Sequence, residues 1–467
     1  MASTLIQLSD LISSSVATID GRCKALSRTY PDLNNPDNNP EDESVVNDSE
    51  IVEAISIALA ATSQLIANIR MPTRSILDTS LAHLLSAALG VVTASATAEI
   101  IREAGPQGCH VEDIACRNGM DPMKIARVLR PLATQHIFRE VSPDVFAHNR
   151  ISTLIDTGKS SQEVLAAPED KFHGAAGYAA LIGLNTDETF KAAAYIEDVV
   201  VVAHKEQEAD EFNTPLNRAF GTHVDLFSWY ERPENRIRFR RFGMAMDASR
   251  RVSPQGWLMR GFKWSLLADG ALIVDVGGGI GSVSLDIANA NPHLRFLIQD
   301  KAAVTEEGKE HWDTKLPGAF AAGRVAFQVH DFFGPQPVKD ASVFLLRGIC
   351  HNWTDSYALT ILKHLREAAQ STTKLVVIER IVPFVCGEDT KYEHIPGAVP
   401  STTSPEPLLV NRGVMGPYLA DLQIMALCSG CERTLPHYVK LFSEAGWEIE
   451  EVFRVVNSLD HIVAKPV

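Results

Sequence analysis

The run Leu272-Ile273-Val274-Asp275-Val276-Gly277-Gly278-Gly279-Ile280-Gly281 constrains this chain more than any other stretch. A short apolar strand ends near an acid, and glycines then recur at every second position. Bare glycines let the backbone turn sharply and let a ligand approach main-chain N–H groups. The spacing separates two kinds of strand-to-helix turn. A dinucleotide-binding turn follows G-x-G-x-x-G, and counting from Gly277 its last glycine falls on Ser282. The pattern present is D-x-G-x-G-x-G. Taken alone, it also fits a tight turn that holds no ligand.

From Ala271 onward apolar strand-like runs alternate with helical periodicity, the signature of a doubly wound α/β domain. The candidate strands are 271–276, 295–299, 325–329, 342–346 and 374–379, which puts the start of this domain near 255–265. The preceding chain reads as helical. Residues 1–28 carry helix-period apolar positions, 30–50 read as an exposed loop, and 51–102 are rich in Ala, Leu and Ile. Cys109–Cys116 reads as a short helix, Asn118-Gly119 as a turn and 123–134 as a second helix behind Asp121-Pro122. Two short strands near Ile137-Phe138 and Val145-Phe146 complete a winged-helix pattern. The segment 387–416, rich in Pro, Ser, Thr and Gly, reads as a long loop before a helix at 417–428; loops of this length are usually functional or disordered.

Composition narrows the function classes. The net charge of −15 opposes a nucleic-acid partner, because phosphate binding needs a concentrated basic surface. The second helix of the winged pattern offers only Lys124, Arg127 and Arg130, so a structural or dimerisation role is expected for it rather than DNA binding. No basic, apolar leader opens the chain, and the apolar windows at 51–69 and 79–101 are broken by polar residues, so they read as packed helices rather than membrane spans. The seven scattered cysteines suit a reducing compartment, and a cytoplasmic address is expected. Cys428 and Cys431 have C-x-x-C spacing but no second ligand pair, so no metal site is expected.

Acids recur where the strands of such a domain end. Asp300 closes the second strand, where a carboxylate is placed to accept hydrogen bonds from ribose hydroxyls. Asp331-Phe332 follows the third, offering an acceptor and an aromatic face suited to an adenine. Each alone also reads as a solvated strand end. After the fourth strand comes Arg347-Gly-Ile-Cys-His351-Asn-Trp353-Thr-Asp355; the fifth ends in Glu379, and Glu432 begins Glu432-Arg433-Thr434.

These motifs together resemble the caffeic-acid-type O-methyltransferases, the S-adenosylmethionine-dependent enzymes of plant and fungal secondary metabolism. The matches are Asp275 to Gly281, Asp331-Phe332, Arg347 through Asp355, Glu379 in Ile-Glu-Arg-Ile-Val-Pro, Asp421-Leu-Gln-Ile-Met425, and Gly430-Cys-Glu-Arg-Thr434. Pro405-Glu-Pro-Leu-Leu-Val-Asn411 leans toward the fungal branch. The resemblance implies an α/β fold with a C-terminal Rossmann-like methyltransferase domain and an N-terminal helical, winged-helix-like dimerisation domain. It implies an arm over 1–70, a dimerisation domain over 71–165, a helical connector contributing to the substrate pocket over 166–260, and a donor-binding domain over 261–467. It makes His351 the base, with Glu379 and Glu432 as flanking acids. It assigns Asp275, Gly277, Gly278, Gly279, Asp300, Asp331, Phe332 and Arg347 to S-adenosylmethionine, and Trp229, Phe242, Met246, Trp353 and Met425 to the substrate pocket. The implied assembly is a homodimer acting on a small aromatic substrate, with no nucleic acid, membrane or metal. Three positions depart from the plant pattern: Asn352 replaces an Asp, while Arg347 and Cys431 each replace a Lys.

The residue types suit that chemistry. A phenol with a pKa of about 10 is ionised to only about one part in a thousand at pH 7, and histidine, with a pKa near 6.5, takes its proton at neutral pH. An alternative within the same family is a member that binds the donor but catalyses dehydration or pericyclic ring formation. Retention of His351 beside two acids favours methyl transfer over it.

Overall fold

The computed structural model describes residues 2–37, 45–175, 177–201, 213–254, 256–387, 390–399, 404–455 and 458–467. Contacts divide the chain into two units. One is Met1–Val252 together with Pro405–Gly413; the other is Ser253–Ser404 together with Val414–Val467.

In the first unit the helices Thr4–Ala25 and Ser49–Ile69 pack together. The second starts at Asp48, whose carboxylate accepts from the Glu50 and Ile51 N–H groups and pairs with Arg22 at 2.9 Å. Pro405–Gly413, from the segment read as a long loop, lies on this helix pair. Leu408 clusters with Leu8, Ala60 and Ala61, Gln64 donates to the Pro407 carbonyl at 2.8 Å, and Arg412 pairs with Glu53 at 2.8 Å. By length and composition alone, Ser49–Ile69 and Pro72–Ala94 are apolar enough to cross a bilayer. They are mostly uncovered within the chain: Ile76 is 72% exposed and Leu77 57%.

The helices Val111–Asn118 and Pro122–Thr134 begin at His110 and Asp121, each accepting a first-turn N–H. One expectation is corrected here. Cys109-His110 is not the start of the helix but a strand, β1, paired with β3 (Val145–Ala147), which pairs in turn with β2 (Arg139–Ser142). Cys109 and Phe146 face each other across this ladder and bury into the apolar core formed with Ile114, Ile125 and Leu129. An edge strand thus outcompetes one more helical turn.

The second unit holds a seven-stranded sheet in the order β6-β5-β4-β7-β8-β10-β9. Its strands are β4 (Leu272–Val276), β5 (Arg295–Asp300), β6 (Val325–Val329), β7 (Val343–Arg347), β8 (Lys374–Glu379), β9 (Trp447–Phe453) and β10 (Asp460–Pro466). The first five are parallel, and at one edge β10 runs antiparallel to both of its neighbours, β8 and β9. From β4 the strand order steps outward in both directions, so the carboxyl ends of β4 and β7 flank the crevice where open α/β sheets take ligands. Helices including Ser282–Ala290 and Asp355–Ala368 cover the faces and build two apolar cores.

Candidate active site

The glycine turn follows β4. Gly277 and Gly279 have positive φ of 69° and 60°, a region few other residues enter. A β-carbon on Gly277 would fall 2.6 Å from Ile349 Cδ1, and one on Gly278 would fall 2.6 Å from the carboxyl carbon of Asp275. Asp275 sits deeper than the glycines that follow it. It lies under the turn, 1% exposed, with Ser284 Oγ donating to its carboxylate at 2.6 Å, and burial pushes its pKa up to about 6. At this depth its carboxylate supports the turn from below. Asp300, at the tip of β5, accepts from the Gly279 N–H at 2.8 Å and the Lys301 N–H at 2.7 Å. Each carboxylate oxygen thus accepts one hydrogen bond and has room for a second, so both retain a lone-pair direction. Asp331 is exposed and accepts the Phe333 N–H at 3.0 Å, while the Phe332 ring lies next to the Gly277 turn. Glycines that admit no β-carbon, an acceptor at a strand tip and a nearby aromatic face fit a ribose-bearing, adenine-bearing cation.

His351 stands beyond β7 in a single 3-10 turn, Cys350–Asn352. Its Nδ1 lies 3.0 Å from Glu432 Oε1, and its side chain remains 21% exposed. Burial works to lower the imidazole pKa, but the hydrogen bond and charge of Glu432, joined by the charge of Glu379, outweigh it and hold the ring above its ordinary value; Arg347 opposes them. Glu379 departs from the expected flanking role. Its Oε1 accepts from the Ile349 and His351 N–H groups at 3.0 and 3.2 Å, and its Oε2 accepts from Tyr438 Oη at 2.6 Å. It therefore grips the backbone beneath the ring and makes no hydrogen bond to the ring. Placed at the end of a buried strand, its carboxylate has more N–H groups of the turn within reach than imidazole nitrogen.

Several residues that position this loop carry no role in the sequence reading. Arg433, fully buried, donates to the Cys350 carbonyl at 2.8 Å, to the Trp353 carbonyl at 2.9 Å and to Asp355 at 3.0 Å. His437 Nε2 meets the other oxygen of Asp355 at 2.7 Å. Gly430 abuts the loop so closely that a β-carbon would fall 2.1 Å from the His351 carbonyl oxygen. Asp421 accepts the Glu432 N–H at 2.8 Å. The only available signal was the compact run Gly430-Cys-Glu-Arg-Thr, in which the acid drew attention away from the arginine. Asn352 donates to the Gly348 carbonyl at 3.0 Å and accepts from Cys428 Sγ at 3.6 Å, so both polar atoms of its amide are engaged within the loop. No cluster of three or more metal-ligating side chains occurs among the described residues.

Of the expected pocket residues, Trp353 is half-buried in an aromatic cluster, 4.8 Å from Phe333 and 6.1 Å from Phe332 between ring centres. Met425 is half-buried on the helix Gly416–Leu427. In the first unit Phe242 and Met246 are half-buried on Arg236–Val252 and pack against Ala180, Leu184 and Ala245. Trp229 lies deeper than Phe242 and Met246. It is 3% exposed, sealed between Phe220 and Tyr230 with the Arg238 guanidinium over its ring, and belongs to the packing of that unit.

A glycine turn on the parallel strands, with a histidine–carboxylate pair beyond β7, places this unit in the Rossmann-like class of ligand-binding α/β domains. The O-methyltransferase domain profile matches residues 195–396. The chain is 40% identical to an O-methyltransferase of Armillaria gallica across 100% of both chains. It is 38% identical to 4-O-methyltransferase 1 of Phanerochaete chrysosporium over 97% of this chain and 96% of that one. Among solved structures, OxaC in complex with SAH and oxaline shares the fold with a TM-score of 0.67 at 19% identity, over 98% of this chain and 100% of that one. The chain belongs to the fungal branch of the O-methyltransferase family, whose methyl donor is S-adenosylmethionine.

Proposed function

We propose that this protein methylates a phenolic or enolic hydroxyl of a small aromatic or polyketide metabolite, with His351 as general base. The observation that carries the reading is the His351–Glu432 pair beyond the carboxyl end of β7, with Glu432 buried and the imidazole 21% exposed. Glu432 accepts from Nδ1–H, which leaves Nε2 as the basic nitrogen that takes the hydroxyl proton. As the imidazolium forms, the Glu432 carboxylate stabilises it, and the charge of Glu379 adds to this from below. A base placed this way contributes about 10² to 10⁴-fold.

Gly277, Gly278, Gly279, Asp300, Asp331, Phe332 and Arg347 would hold the donor, which supplies an electrophilic methyl group on a cationic sulfur. Asp300 retains acceptor capacity for ribose hydroxyls, and the bare turn lets the donor lie against the backbone. Within the second unit, Trp353 and Met425 offer apolar surface for an aromatic substrate. The uncovered apolar faces of Ser49–Ile69 and Pro72–Ala94 support a homodimer in which a second copy covers them. We further infer an N-terminal arm, a winged-helix-like dimerisation region and a helical connector ahead of the donor-binding domain, in a cytoplasmic protein.

The test is transfer of label from methyl-labelled S-adenosylmethionine to a panel of phenols and aromatic polyketides, with His351→Ala beside the wild type. The reading expects label on a substrate oxygen, lost by about a hundredfold or more in the variant. Donor binding without transfer to any member would speak against it.

A further inference from the structure

Tyr438 carries a hydroxyl in a place where packing alone needs none. It lies on the helix Leu435–Glu444, fully buried, and its ring meets Phe442 edge-on at 6.0 Å. Its hydroxyl donates to Glu379 Oε2 at 2.6 Å. The other oxygen of that carboxylate holds the Ile349 and His351 N–H groups. Three donors converge on one buried carboxylate and tie both of its oxygens to the turn and the helix. We propose that Tyr438 is a positioning residue for the base: through Glu379 it fixes the turn that carries His351 and keeps a negative charge beneath the imidazole. The proposal rests on the reading of His351 as the base.

The hydroxyl is suited to this role because it stays protonated; burial, then the charges of Glu379 and Glu432, push its pKa well above the ordinary tyrosine value. It therefore acts only as a donor. The charged and titratable neighbours are few. Glu432 bonds to the imidazole, and Arg347 opposes the acids at the ring. Cys350 and the Arg433 guanidinium lie on the Glu379 side, and Asp460 faces Glu379 across the β8–β10 ladder, where it is paired with Arg454 at 3.4 Å. None of these is placed by the structure to donate to Glu379 Oε2. Without the tyrosine hydroxyl that oxygen is left buried and unpaired, so the carboxylate turns toward another partner, loosening the turn and drawing its charge away from beneath the ring.

The experiment follows the imidazole directly. The ring of His351 is titrated by NMR in the full chain labelled at histidine Cε1, with its resonance assigned from His351→Asn. Tyr438→Phe keeps the ring and removes only the donor. The proposal expects His351 to titrate lower in Tyr438→Phe than in the wild type, by roughly half a pH unit or more. In a Glu379→Gln background, where there is no charge to lose, adding Tyr438→Phe should produce no further shift. An unchanged titration in Tyr438→Phe overturns the proposal, as does an equal shift in both backgrounds. The readout does not depend on turnover, so it stays separate from the assignment of His351: undiminished methyl transfer by His351→Ala would refute that assignment while the titration still reports on the tyrosine.

Discussion

Replacing Gly430 by alanine tests how tightly the base is held. The added β-carbon would fall 2.1 Å from the His351 carbonyl oxygen and 2.4 Å from the Trp353 nitrogen. Restoring an ordinary non-bonded separation moves the two segments apart by roughly 1 Å. The ends of the turn resist that movement, because Arg433 grips the carbonyls of Cys350 and Trp353 on either side of His351. The displacement therefore falls on His351 itself. A misplacement of about 1 Å at a reacting centre costs on the order of a hundredfold in rate, and overpacking of this kind costs about 1–3 kcal/mol in stability. The glycine turn after β4 lies on different elements. The expected result for Gly430→Ala is thus a kcat for methyl transfer lowered about a hundredfold, with affinity for S-adenosylhomocysteine, measured by calorimetry, changed by no more than about twofold. Thermal unfolding checks that the variant is folded. A folded variant with kcat within about threefold of wild type would refute the reasoning.

Two other perturbations probe charge. Glu432→Gln removes the main influence that raises the imidazole pKa; because the base must be neutral to act, the acid limb of the kcat/KM profile should move to lower pH, and the plateau should fall by roughly tenfold or more as the imidazolium loses its partner. A limb that stays in place or moves to higher pH would count against Glu432 as the partner of the base. His461, buried on β10, accepts the Phe262 N–H at Nδ1, and burial lowers its pKa to about 4. Between the unfolded value near 6.5 and about 4 only the unfolded chain takes up this proton, so falling pH should destabilise the second unit by up to roughly 3 kcal/mol. Urea unfolding at pH 7 and pH 4.5 should show that slope reduced in His461→Gln, and an identical slope would remove His461 as its source.

The inner parallel strands β4, β7 and β8 were legible because both of their faces are buried, so each reads as a nearly unbroken apolar run. In β7, for example, Val343, Phe344, Leu345 and Leu346 are all fully buried. The antiparallel edge was not. Glu448, Glu450 and Glu451 load β9 with charge, and β10 opens on Asp460-His461, polar residues that are nevertheless buried. The site shows the same division. The glycine spacing, the strand-tip acids and the histidine stand out because their chemistry is local in sequence. Which carboxylate touches the imidazole depends on where the 430–438 segment folds back onto the loop, a contact some 80 residues distant in sequence. Spacing alone could not separate Glu432 from Glu379, nor reveal that Asp275 and Trp229 are buried.

The central claim is that His351 removes the proton of the accepted hydroxyl. Its most direct test compares an accepted phenol with a nitro-substituted analogue that is already ionised at the assay pH, using wild type and His351→Ala. A phenol with a pKa of about 10 needs the base, whereas a preformed phenolate does not. The account predicts a loss of about a hundredfold or more on the neutral phenol and near-wild-type transfer to the ionised analogue. An equal loss on both would show that His351 serves some purpose other than taking the proton.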